Sequence, residues 1–135
     1  ILGMGELSRV YQKLFYETSI ATEASGGLYV PSDPGMLYFQ VETDAVAKIE
    51  PAAELLLKEL RRIQEEGPTL DELARVVANA ESERLYATQS ADGVAGRIGF
   101  LRFIMGDLGF DQRYLEDLRA ITAGRVKQAA KKYLD

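Results

Sequence analysis

The sequence predicts an α+β fold: a helix, then two strands, then a run of helices. Three observations carry that prediction. Val10, Leu14 and Phe15 recur at helical spacing, MLYFQVET alternates with period two, and a long 3.6-residue rhythm starts near Lys48 and continues in later segments.

Taken in order, residues 7–18 read as an amphipathic helix, with Ser8 or Glu6 as its cap. IATEASGGLYV shifts towards period two and reads as a strand over 20–30. PSDPG, Pro31 to Gly35, reads as a turn, its Pro34-Gly35 pair suiting type II geometry. The second strand, 36–43, puts Leu37, Phe39 and Val41 on one face and Tyr38, Gln40 and Glu42 on the other. Together the strands make an antiparallel hairpin. Two strands alone are marginal in water, so they are expected to join a larger sheet whose other members lie upstream.

Lys48 to Glu66 reads as a helix with Ile49, Ala52, Ala53, Leu56, Leu57, Leu60 and Ile63 on its apolar row. Pro51 fits only in the first turn, and Gly67-Pro68 is the stop. Thr69 and Glu72 form a capping-box signature for a helix over about 70–89. Ser90 to Asp92 breaks the pattern, and a further helix spans about 93–105, ending at Gly106-Asp107. Gly93, Gly96 and Gly99 recur every third residue in it. Each costs about 1 kcal/mol against Ala, so close helix packing is expected in return. A short helix capped by Asp111 follows, then one capped by Thr122 with Val126, Ala129, Ala130, Tyr133 and Leu134 inward.

The 135 residues are one domain's worth, with 47% hydrophobic and 27% charged residues, a globular composition. No apolar run approaches the roughly 20 residues of a membrane span. ILGMGELSRV lacks the charged start of a signal peptide and lacks an initiating Met, so the chain is expected to begin mid-protein. A net charge of −5 without a basic stripe argues against nucleic acid as a partner. There is no Cys and no His. Disulfides, thiolate zinc sites, a Cys nucleophile and a Ser-His-Asp triad are therefore excluded within this chain. A metal would have carboxylates alone, which suits Ca²⁺ or Mg²⁺.

The remaining candidates read as structure. Glu54, Glu59, Glu65 and Glu66 interleave with Lys58, Arg61 and Arg62 and read as a solvated helix face. GMGE lacks the residues of a phosphate loop, and Gly3 and Gly5 read as the end of a preceding helix. Ser8 has no base and reads as a cap. Arg9 stands at a helix N-terminus, where the macrodipole disfavours a cation, so it needs an assigned partner: a buried carboxylate or a backbone carbonyl.

ILGMGELSRVYQKLFYETSIATEAS resembles the Leu-Gly-x-Gly-x-x-Ser-Arg-Leu-x-x-x-Leu segment of the pitrilysin/insulinase-type metallopeptidases, the inverted zincins. The matching positions are Leu2, Gly3, Gly5, Ser8, Arg9, Val10 and Leu14. DPGMLYFQVET, LLLKELRRIQEEGPTLDELARVVANAES and RAITAGRVKQAAKKYL resemble later segments of the same family, in the same order. The resemblance implies one half of a two-half α+β clamshell. Residues 1–135 would be a partial single domain of the carboxy-terminal, non-zinc half, with Gly3, Gly5, Ser8 and Arg9 as its structural signature. It implies no catalytic, cofactor or metal residue here; zinc, in a His-x-x-Glu-His motif, belongs to the parent's amino-terminal half. The implied parent activity is zinc-dependent peptide hydrolysis in a closed chamber, the fragment alone being inactive. Implied partners are that amino-terminal half, peptide substrates and a second subunit in a homo- or heterodimer. The bacterial periplasm is favoured over the cytoplasm. Many second halves of the family carry an Arg and a Tyr near the substrate; the aligned positions here hold Phe15 and Thr22, so no substrate contact is carried over. The alternative is a non-catalytic scaffold or assembly subunit of the same fold.

Overall fold

The structure is a computed structural model that describes residues 1–29 and 35–134. Of the turn expected at Pro31 to Gly35, residues 31–34 lie outside the described residues. Among the described residues helices dominate, accompanied by one two-stranded sheet, which is the expected α+β class. The chain divides into two compact units, one of Ile1–Pro68 together with the segment from Lys127 onward, the other of Thr69–Val126.

In the first unit, α1 (Arg9–Tyr11) continues directly into a π-helical stretch, Gln12–Glu17. The expected helix over 7–18 is therefore present but wider than α-helical at its end, where the Thr18 N–H reaches back five residues to the Lys13 carbonyl. The Leu14 carbonyl then accepts from both the Ile20 and Ala21 N–H groups at 3.0 Å, turning the chain towards the sheet. Strands β1 (Glu23–Tyr29) and β2 (Met36–Glu42) pair antiparallel, from Glu23 opposite Glu42 to Tyr29 opposite Met36. Ala24 with Val41 and Gly26 with Phe39 share the inward face, as the alternation predicts. Leu28, Tyr29, Met36 and Tyr38, at the far end of the hairpin, remain exposed.

A 3₁₀ turn, Val46–Lys48, leads into α2 (Ile49–Glu66), which carries Pro51 in its first turn. Gly67 closes α2 at φ 78°, a conformation that only Gly adopts cheaply. The core joins Val10, Leu14, Ala21, Ala24 and Ala52, with Ile20, Phe39, Val41, Leu55 and Leu56 packed around it. Apolar burial of this kind is the main stabilising term for such a small unit.

In the second unit α3 (Leu70–Ala87) starts with the expected capping box: Glu72 N–H donates to Thr69 Oγ1 and Thr69 N–H donates to the Glu72 carboxylate. Ser90 caps α4 (Ala91–Phe103) by accepting from the Gly93 N–H at 3.0 Å. Close packing holds only at Gly93, where an added Cβ would fall 2.2 Å from the Ala87 carbonyl oxygen. Gly96 and Gly99 face open space, contrary to the expected glycine seam. Asp111 does not cap α5 (Phe110–Arg119); Gly109 holds that position, and Asp111 lies inside the first turn with its side chain engaged elsewhere. Thr122 does cap α6 (Ala123–Tyr133), whose residues from Lys127 onward belong to the first unit, accepting from the Arg125 N–H. Of the inward row expected on α6, Ala130 is buried, whereas Tyr133 is exposed.

Candidate functional site

The signature residues build a turn whose job is to bring backbones together. Gly5 takes a φ of 80°, and its carbonyl accepts from the Ser8 N–H at 3.0 Å. The carbonyls of Ile1 and Leu2 accept from the Arg9 and Val10 N–H groups, so the segment before the turn satisfies the first donors of α1. Ser8, 2% exposed, supplies the remaining cap by accepting from the Tyr11 N–H.

Gly3 packs directly on the sheet. Its carbonyl accepts from the Gly26 N–H at 2.8 Å, which sets it against β1. A Cβ on Gly3 would lie 2.5 Å from the Gly26 Cα, and a Cβ on Gly26 would lie 2.5 Å from the Phe39 ring. Three layers (Gly3 backbone, Gly26 backbone, Phe39 ring) therefore stack only because neither glycine has a side chain. Gly26 was not legible as part of the motif; the GG pair in a strand was the available signal, since Gly inside a strand marks close backbone approach.

Arg9 resolves its conflict with the α1 macrodipole by reaching across the unit. Its Nη2 donates to the Gly67 carbonyl at 2.9 Å, just past the end of α2, where a cation is favoured. Of the two expected kinds of partner, the backbone carbonyl is present. Beneath it, Glu59 corrects the solvated-face reading: it is 4% exposed, on the same side of α2 as Ala52 and Ile63. Positions 52, 56, 59 and 63 form one helical row, so this burial could have been read from spacing. Arg62 Nη1 stands 3.7 Å from the Glu59 carboxylate. The hydrogen bond that Arg62 donates to Glu66, then the charge of Glu59, hold the Arg62 guanidinium more firmly protonated than usual, with Arg9 opposing. Lys13 is shifted in the same direction, chiefly by its bond to Glu17.

This arrangement holds the start of α1, β1 and the end of α2 together. Tyr11 and Phe15, both half-buried, stack at 4.7 Å between ring centres, so Phe15 has an aromatic neighbour. Zinc does not fit this chain: it has no His or Cys, and among the described residues no group of three or more acidic side chains could hold a metal ion. Among the described residues no helix is long and apolar enough to cross a membrane.

A family model described as the peptidase M16 inactive domain matches residues 1–80, more than half of the chain. The chain belongs to the peptidase M16 inactive-domain family. Within this M16 domain the matched stretch takes in the signature turn, the hairpin, α2 and the start of α3. The fold is similar to that of a protease from Helicobacter pylori, at 18% identity and a TM-score of 0.89, covering 100% of this chain and 32% of that one. It is also similar to a peptidase M16 inactive domain from Pseudomonas fluorescens, at 20% identity and a TM-score of 0.83, again covering 100% and 32%. The M16 chain thus spans about a third of the length of these structures. No curated protein matches it.

Proposed function

We propose that this chain is part of the non-catalytic, carboxy-terminal half of a zinc-dependent metalloendopeptidase. It forms wall rather than catalyst in a chamber that closes over extended peptides. The observation that carries the reading is the pairing of an M16 inactive-domain match with a signature turn held by backbone contacts, the Ser8 cap and the bond from Arg9 to the Gly67 carbonyl. Gly3, Gly5, Ser8 and Arg9 serve as its structural signature, and residues 1–135 form part of one domain of the parent. The zinc and the general base belong to the amino-terminal half, which is the principal partner. The compartment proposed is the bacterial periplasm.

The test is cleavage of an internally quenched peptide by the full-length protein, with and without a chelator. Chelator-sensitive cleavage is the expected result. A full-length protein with no cleavage under any metal condition would overturn the peptidase reading in favour of a scaffold or assembly subunit.

A further inference from the structure

The second unit contains a cavity of about 290 Å³ between the C-terminal half of α3, Arg97 of α4 and the first turns of α5. Ala80, Ala87 and Leu115 give it an apolar lining. Its polar side chains are those of Arg84, Arg97, Glu83, Asp111, Thr88 and Tyr114. Asp111 is 8% exposed and accepts both Arg97 Nε, at 2.8 Å, and Arg97 Nη2. That two-pronged pair engages both oxygens of Asp111 and fixes Arg97, whose guanidinium also lies 4.9 Å from the centre of the Phe100 ring.

Arg84 and Glu83 line the same cavity in a different state. Among the described residues neither side chain has a hydrogen-bond or ion-pair partner. A guanidinium offers a planar fork of donors that matches a carboxylate. The charge of Arg84 also favours the ionised Asp111, but no hydrogen bond joins them, so the donor fork of Arg84 is open to a ligand. Glu83 beside it disfavours a doubly charged anion and tolerates a singly charged one.

We propose that this cavity binds an α-carboxylate carried on a short apolar stem, with Arg84 as the carboxylate's partner and the Ala80, Ala87 and Leu115 surface around the stem. The volume suits about ten non-hydrogen atoms, the size of one apolar amino acid or the last residue of a peptide. Glu83 distinguishes the two sources. A free amino acid places an ammonium near that carboxylate, whereas a peptide end does not.

The experiment is calorimetric titration of the full-length protein with L-leucine, with N-acetyl-alanyl-leucine and with leucinamide. Binding of either carboxylate ligand, with leucinamide at least about tenfold weaker, is the expected result, as is an about tenfold loss in Arg84→Gln. Arg84 is exposed and outside the Arg97–Asp111 pair, so this variant leaves the fold intact. Tighter binding of leucine that Glu83→Gln weakens assigns a free amino acid; binding of the acetylated dipeptide that ignores Glu83→Gln assigns a peptide end. Leucinamide binding as well as leucine, an unaltered Arg84→Gln, displacement by equimolar inorganic phosphate, or no binding of either carboxylate ligand would each overturn the proposal. None of these readouts depends on peptide cleavage, so the site stands or falls separately from the peptidase reading.

Discussion

Val10 and Leu14 in the first unit are wholly buried, and their polar neighbours Ser8 and Arg9 bond to backbone. In the second unit the buried apolar side chains are Leu101 and Leu115, and beside them lies a buried carboxylate, Asp111, held by an arginine. Phe103 and Ile104 there stay largely exposed. Both units bury a carboxylate near an arginine, Glu59 by Arg62 and Asp111 by Arg97, but only the second ties it with a two-pronged bond, and only the first has wholly buried large apolar side chains. The difference teaches where the larger effects should fall: size and shape in the first unit, the Arg97–Asp111 pair in the second.

The strongest way to break this comparison is Leu14→Ala. Truncating a wholly buried Leu should cost about 3 kcal/mol, read from a denaturant midpoint. A loss below about 1 kcal/mol would mean that the first unit is not organised around this residue. Gly3→Ala comes next, at about 2 kcal/mol, because its Cβ must push away the Gly26 backbone and weaken the bond to the Gly26 N–H. Hydrogen exchange at the Gly26 amide should accelerate in the same variant.

Asp111→Asn should cost about 1 kcal/mol at neutral pH, discounted because Arg97 is more than a third exposed. The bond to Arg97 holds the Asp111 carboxyl below its ordinary 3.8. A carboxyl with a depressed folded-state pKa stabilises the fold fully above its unfolded value and loses that contribution as pH falls through the folded one. The gap between wild type and D111N should therefore be flat from neutral pH down to the ordinary carboxylate range and close below it. Stability curves that stay parallel down to the most acid pH would contradict the pairing. Arg119→Gln is the smallest effect. Its bond to Glu81 is 2.8 Å long but joins two exposed side chains, so thermal melts should shift by no more than about 0.5 kcal/mol equivalent.

Much of this architecture was legible because local chemistry dictates it. The Thr69/Glu72 capping box, Ser90 and Thr122 as caps, Gly67 as a stop and the alternating faces of β2 all follow from nearest-neighbour rules. What was not legible depends on partners distant in sequence. Gly3 meets Gly26, Arg9 meets Gly67 and Arg97 meets Asp111, and spacing along the chain encodes none of these encounters. Asp111 illustrates the error: an Asp near a helix start looks like a cap, yet its carboxylate was needed by a guanidinium on another helix. The glycine series of α4 failed for a similar reason, since packing at Gly93 comes from the turn after α3 and not from a seam along the helix.

The central claim is that this chain shapes a peptidase while its metal lies elsewhere. Elemental analysis of zinc on the full-length protein and on the 135-residue chain, purified side by side, tests it most directly. The account predicts about one zinc per full-length chain and none above background on the shorter one. Stoichiometric zinc on the 135-residue chain, or none on the full-length protein, would contradict it.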